Sequence, residues 1–154
     1  MIHTIYIALG SNVGDRHWYL DKSLEALSRI EDIEVDQVSD YINTSAVSVV
    51  PQADYLNAAA SIKTLLTLRE FFDICLSVEK DLGRTSKGSY DPRTIDIDIL
   101  FFNNEIVLED DLVVPHPLLH ERAFVLEPLS QIAPHFIHPL LQSSVFELYN
   151  KQCK

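Results

Sequence analysis

The chain has 154 residues, 47% of them apolar and 23% charged. That is the size of one domain with one core, and the composition excludes a disordered or low-complexity protein. A formal net charge of −11 excludes a general nucleic-acid binder and an anionic-membrane binder. It leaves room for a polyphosphate substrate, because Mg²⁺ and a few grouped arginines can reverse the field inside a cleft.

The two cysteines, Cys75 and Cys153, form neither a metal-ligand spacing nor a disulfide framework, so a reducing, cytoplasmic setting is expected. No apolar run reaches membrane-spanning length. The N-terminus lacks a basic leader and reads as a strand, not a signal peptide.

In chain order, residues 2–9 alternate and are rich in β-branched types, predicting a strand that ends at Gly10. Asp15 can cap a helix in which Leu20, Leu24 and Leu27 recur at helical spacing. Residues 33–43 read as a second strand, 44–53 as a loop and 54–64 as a third strand. Thr67-Leu68-Arg69-Glu70 has the form of a capping box. It opens a helix with Phe71, Phe72, Cys75 and Val78 along one side. Residues 82–92 read as a mobile connection into a strand at 95–101. The order β-α-β-β-α-β is the ferredoxin-like plan of the α+β class, an antiparallel sheet with helices on one face, followed here by short C-terminal elements. No repeat or linker divides the chain, so residues 1–154 are expected to be a single domain.

The chemistry concentrates in Asp91-Pro92-Arg93-Thr94-Ile95-Asp96-Ile97-Asp98-Ile99-Leu100. Side chains alternate along a strand, so Asp96 and Asp98 leave from one face, about 7 Å apart, while Ile95, Ile97 and Ile99 face the core. Two carboxylates on one rigid face can hold one or two Mg²⁺ ions together with a phosphate chain. A lone Asp-x-Asp on a strand is more often a solvated face, and here the neighbours shift the balance. Arg93 stands where a guanidinium can grip phosphate with two hydrogen bonds, and Arg84 and Lys87 lie in the connection before it. Glu79 falls near a helix C-terminus, where a carboxylate opposes the dipole.

At these residues the chain resembles the hydroxymethyl-dihydropterin pyrophosphokinases, which serve folate biosynthesis. The resemblance runs through Ala8-Leu9-Gly10-Ser11-Asn12-Val13-Gly14-Asp15-Arg16, Asp54-Tyr55-Leu56-Asn57-Ala58 and the segment from Pro92 to Leu100. It continues in Val114-Pro115-His116-Pro117 and Glu121-Arg122-Ala123-Phe124-Val125-Leu126-Glu127-Pro128-Leu129. What it implies is an ATP-dependent diphosphotransferase that moves pyrophosphate from ATP to the pterin hydroxymethyl group and releases AMP. Asp96 and Asp98 then match the carboxylates that hold two Mg²⁺ ions. Arg84 and Arg93 match phosphate-binding arginines and, with the aspartates, are the expected catalytic set. Glu79, Lys87, Tyr90, His116 and Arg122 fall on the ATP side. Tyr55 and Phe124 match the aromatic pair around the pterin and Asn57 the amide that reads its edge, with Asn12, Thr44, Val47 and Asp96 completing that pocket. The partners implied are these two small molecules, with neighbouring folate-pathway enzymes as possible associates.

Read alone, several of these residues have plainer uses. Tyr55 and Phe124 are of a type more often found in a core, although offset stacking on a flat heterocycle adds roughly 0.5–1.5 kcal/mol beyond burial. His116, between two prolines, suits an ordinary loop. Gly10-Ser11-Asn12-Val13-Gly14 lacks the Lys-Ser/Thr ending of a phosphate loop and reads as a tight turn. The chain also differs from the family pattern, with Ser45-Ala46 after Thr44 in place of a proline and Tyr90-Asp91 where tryptophan-glycine is common. A non-catalytic ferredoxin-like module and another two-metal enzyme, such as a nuclease, are the competing readings. The aspartate pair with its arginines argues against the first, and the acidic balance against the second.

Overall fold

A computed structural model of the chain describes residues 1–44, 54–83 and 94–152. The elements in order are β1 (His3–Ser11), α1 (Arg16–Ser28), β2 (Ile33–Val38), β3 (Ile42–Thr44), β4 (Tyr55–Thr64), α2 (Leu68–Asp81) and β5 (Asp96–Phe102). A small hairpin, β6 (Val107–Glu109) and β7 (Leu112–Val114), follows, then a 3-10 turn (Leu119–Glu121), α3 (Ala123–Ile132) and α4 (Val145–Gln152). The main sheet is antiparallel throughout and runs β2-β4-β1-β5, with β3 also paired to β4. This is the ferredoxin-like arrangement that the element order predicts.

Both helices of the motif start where their capping residues place them. The Asp15 carboxylate accepts from Trp18 N at 3.1 Å, and Thr67 and Glu70 exchange side-chain-to-backbone bonds of 3.1 and 2.9 Å. These bonds satisfy amides that the first helical turn leaves without a carbonyl. From α1, Leu20 and Leu27 are buried and Leu24 is partly buried. From α2, Phe71, Cys75 and Val78 are buried, and Phe72 packs at the margin. They close over Ile5, Ile7, Leu9, Ile62, Ile95, Ile97 and Ile99 on one face of the sheet.

Two features differ from the sequence expectation. The strand expected at 33–43 is broken, because Ser39 takes over a ladder position with its own side chain. Its backbone N donates to Ala59 O at 2.9 Å and its Oγ accepts from Ala59 N at 2.8 Å. The next amide, Asp40 N, turns away to Gln131 Oε1 on α3 at 2.8 Å. The chain rejoins β4 only at Ile42.

The second difference is that helices cover both faces. The C-terminal elements form a second core on the opposite face, where Val125, Leu126 and Leu129 of α3 and Val145 and Leu148 of α4 meet Ala59, Leu100 and Phe101. Pro128 lies inside α3, a residue that normally argues against a helix, which hid this layer from a pattern reading. The two-sided cover explains why β4 is buried along most of its length, through Ala58-Ala59-Ala60, instead of alternating.

The segment between α3 and α4 is held by His138, which is 3% exposed. Its Nδ1 accepts from Leu140 N and Leu141 N, both at 3.1 Å, and its ring meets Phe101 edge-on at 5.5 Å. Burial, with His120 nearby, lowers its pKa below the usual 6.5, and a proton on Nδ1 would break both bonds. Above pH 6.5 the imidazole is neutral folded or unfolded, and the stability it gives is complete. As pH falls below 6.5, the unfolded chain takes up the proton first, and stability drops until the folded imidazole titrates too. Urea unfolding at about pH 7.5 and about pH 5.5 should therefore show a larger loss for the wild type than for His138→Asn. Equal losses would assign the acid sensitivity to other groups.

Candidate active site

The site is built by register. On β1, Gly10 lies between Asn57 of β4 and Asp96 of β5, and Ala8 lies between Ala59 and Asp98. Directly paired residues share a face, so Asp96, Asp98 and Asn57 project from one side of the sheet, over a floor of Gly10 and Ala8. It is the side opposite Ile95, Ile97 and Ile99. Tyr55 lies two residues before Asn57 on the same face, and β3 brings Thr44 directly opposite Tyr55. Asp96, Asp98 and Tyr55 are partly exposed, while Asn57 is buried.

Asn57 is fixed from two directions. Its Nδ2 donates to Thr44 Oγ1 at 2.5 Å. A Cβ at position 10 would lie 3.2 Å from Asn57 Oδ1 and 3.5 Å from Tyr55 Cδ1. Glycine suits position 10 because of this close approach, not because of an unusual backbone angle.

The α3 side contributes Arg122 and Phe124 at the start of that helix, with the guanidinium carbon 5.8 Å from the Phe124 ring centroid. Phe124 packs on the margin of the second core. His116 is tied to β5 by its backbone N, which donates to Leu100 O at 3.1 Å. Its Nδ1 accepts from Leu118 N at 3.2 Å, which in the neutral ring leaves the proton on Nε2 as a donor.

Glu79 is not a surface carboxylate. It is 2% exposed, and its Oε2 accepts from Ile97 N at 2.7 Å. Asn12 is buried at the end of β1. Val47, Arg84, Lys87, Tyr90 and Arg93 lie outside the described residues, so of the expected set the structure brings together Thr44, Tyr55, Asn57, Asp96 and Asp98 on one face.

Sequence reasoning missed Arg16. Its Nη1 donates to Asn43 Oδ1 at 2.5 Å and to Asp54 O at 2.8 Å, and Asn43 Nδ2 bonds Asp54 Oδ2 at 3.1 Å. One guanidinium at the start of α1 thus joins the residues on either side of the 45–53 segment. Its signal in the sequence is its place beside the helix cap, in Asp15-Arg16.

Among the described residues, no group of three His, Cys, Asp or Glu side chains forms a metal cluster. The donor set is the Asp96/Asp98 pair, all oxygen. Mg²⁺ characteristically uses one or two carboxylates and completes its octahedron with phosphate oxygens and water, so the residues present fit that ion better than Zn²⁺ or a caged Ca²⁺.

Residues 6–134 match the family model of 7,8-dihydro-6-hydroxymethylpterin-pyrophosphokinase (HPPK). The chain belongs to this family. The 2-amino-4-hydroxy-6-hydroxymethyldihydropteridine pyrophosphokinase of Bacillus subtilis is 43% identical over 132 residues, covering 86% of this chain and 79% of the relative. The protein of the same name from Aquifex aeolicus is 38% identical over 144 residues, covering 94% and 89%. In shape, the chain is similar to the Plasmodium falciparum HPPK-DHPS crystal structure with pterin and p-hydroxybenzoate, with a TM-score of 0.77 at 16% identity. That match covers 98% of this chain but 42% of the Plasmodium one, so the HPPK fold accounts for this chain and a further part of the Plasmodium protein has no counterpart here.

The close approach at Gly10 can be tested on this HPPK fold without any ligand. Gly10→Ala is expected to move the Asn57 carboxamide away from Thr44, seen as a shift of the Asn57 side-chain NH₂ resonances in ¹⁵N spectra. Unchanged resonances would mean that β1 yields instead of Asn57.

Proposed function

We propose that the chain transfers the pyrophosphoryl group of ATP to the hydroxymethyl oxygen of 6-hydroxymethyl-7,8-dihydropterin and releases AMP, the reaction of its family and a step in folate synthesis. Family membership supports the activity. The observation that carries the residue assignment is the shared face on which Asp96 and Asp98 stand beside Asn57 over a floor of Gly10 and Ala8.

In this reading Asn57, held by Thr44, presents its amide to the hydrogen-bonding edge of the pterin, with Asn12 and Val47 completing the pocket. Tyr55 and Phe124 stack on the pterin faces, where offset contact suits a flat heterocycle. Asp96 and Asp98 hold two Mg²⁺ ions, which when bound supply charge neutralisation at the phosphate chain and lower the pKa of the attacking hydroxyl. His116, through Nε2–H, and Arg122 contact the nucleotide. Arg84 and Arg93 are assigned to the ATP phosphates, and Lys87 and Tyr90 to the ATP side, by the family resemblance. Glu79, which the resemblance set on the ATP side, lies buried behind β5 and acts on that side from within the fold.

The bond that forms is between the hydroxymethyl oxygen and the β-phosphorus. The bond that breaks joins the β-phosphorus to the oxygen it shares with the α-phosphate, and the electron pair leaves with AMP while the hydroxyl proton is released. The protein supplies in-line positioning and preorganised charge, the two contributions that phosphoryl transfer requires of its enzymes.

We place this activity in the cytoplasm. No helix among the described residues is long and apolar enough to cross a membrane, and Cys75 is buried. Association with a neighbouring folate-pathway enzyme belongs to the same proposal, by analogy with the composite Plasmodium protein.

The test is AMP formation from ATP with and without hydroxymethyl-dihydropterin in the presence of Mg²⁺. Pterin-dependent AMP release is expected for the wild type. Asp96→Ala and Asp98→Ala should abolish it while circular dichroism stays unchanged, because Ile95, Ile97 and Ile99 still fill the core behind them. Near-normal turnover in either variant would sink the metal assignment.

A further inference from the structure

Among the described residues, the strand that carries Asp96 and Asp98 is the last in its sheet and pairs with β1 alone. Ile97, between them, is directly opposite Leu9. In an antiparallel ladder such positions alternate between exchanging backbone bonds with the neighbour and pointing their N–H and C=O outwards. The Ile97 N–H points outwards, away from β1, and its acceptor is the Glu79 carboxylate, 2.7 Å away. Glu79 comes from the last turn of α2, between the buried Cys75 and Val78 and the end of the helix at Asp81. It is 2% exposed in a chain whose formal charge is already −11.

A carboxylate taken out of water costs free energy unless it is paired and hydrogen-bonded, a requirement that an apolar side chain does not have. As a charged acceptor it gives the Ile97 amide a strong and directional bond. The amide concerned belongs to the peptide plane that joins Asp96 to Ile97. Its tilt sets the direction in which the Asp96 side chain leaves the strand, and so the spacing of the two carboxylates.

We propose that Glu79 is a positioning residue for the Asp96/Asp98 pair, acting through the Ile97 N–H to fix the strand geometry in which the two carboxylates hold their cations. The inference rests on the reading of Asp96 and Asp98 as the metal-holding pair and adds a residue behind them that touches neither substrate. Groups of this kind, which orient metal-ligating carboxylates, typically change metal affinity or activity by about 10–100-fold when removed.

Two conservative variants separate position from charge. Glu79→Gln keeps the length and an acceptor oxygen but loses the charge. Glu79→Asp keeps the charge but is one methylene too short to reach Ile97. If Glu79 positions the strand, Glu79→Gln should retain kcat within about threefold and Glu79→Asp should lose about tenfold or more. The KM for ATP should change little in either. Amide hydrogen exchange at Ile97 should stay slow in Glu79→Gln and accelerate in Glu79→Asp, and Mn²⁺ binding with ATP should weaken only in Glu79→Asp. The reverse order, with Glu79→Asp active and Glu79→Gln impaired, would overturn the proposal in favour of a role for the charge. A loss confined to the KM for ATP would overturn it in favour of direct nucleotide contact. Asp96→Ala, assayed alongside, keeps the two readings apart. If it still binds Mn²⁺ with ATP and turns over, the metal assignment fails and the proposal with it. If it is inactive while Glu79→Asp matches the wild type, only the positioning role fails.

Discussion

The arrangement depends on the double pairing of β1. One strand hydrogen-bonds to β4 on one side and β5 on the other, and the two registers are locked together through it. Because side chains alternate with a period of two, a slip of one residue in either pairing would send Asp96 and Asp98, or Asn57, to the opposite face. The isoleucines at 95, 97 and 99 oppose such a slip, since it would turn them out of the core and the aspartates into it. The geometry of the site is therefore maintained by the same apolar burial that stabilises the domain, and Gly10 is the point where the two registers meet.

The two faces of the sheet are covered differently. The α1/α2 face is sealed by a continuous core. On the other face, α3 and α4 cover the sheet around Ala59, Leu100 and Phe101. Beyond that cover lie Gly10, Asn57, Asp96 and Tyr55, of which Asp96 and Tyr55 remain partly open to water. Gly10, without a Cβ, leaves room here for the side chains of Asn57 and Tyr55. The outer edge of β5, which has no neighbouring strand among the described residues, is met by Glu79 at the Ile97 N–H and by the His116 backbone N at the Leu100 carbonyl. Covering an edge in this way also guards against unwanted strand pairing. Here it ties the strand that carries Asp96 and Asp98 to α2 on one side and to the His116 segment on the other.

The sequence by itself determined the parts of this protein that rest on local chemistry. The caps at Asp15 and Thr67, the 3.6-residue spacing of Leu20, Leu24 and Leu27, and the alternation of Ile95, Asp96, Ile97, Asp98 and Ile99 are all set by residues within a turn or two of one another. They yield the element order, the ferredoxin-like plan and the facing of the carboxylate pair. Tertiary structure decided what local rules could not reach. Ser39 broke a strand because its partner, Ala59, lies twenty residues away. Pro128 sits in a helix that exists only because Leu126 and Leu129 have a sheet to pack against. The roles of Arg16 and Glu79 appear when folding places Asn43 and Asp54 beside one and the Ile97 amide beside the other. The physical reason is common to all four: a polar group or a helix breaker takes its role from its partner, and the chain does not name partners that lie far away in sequence.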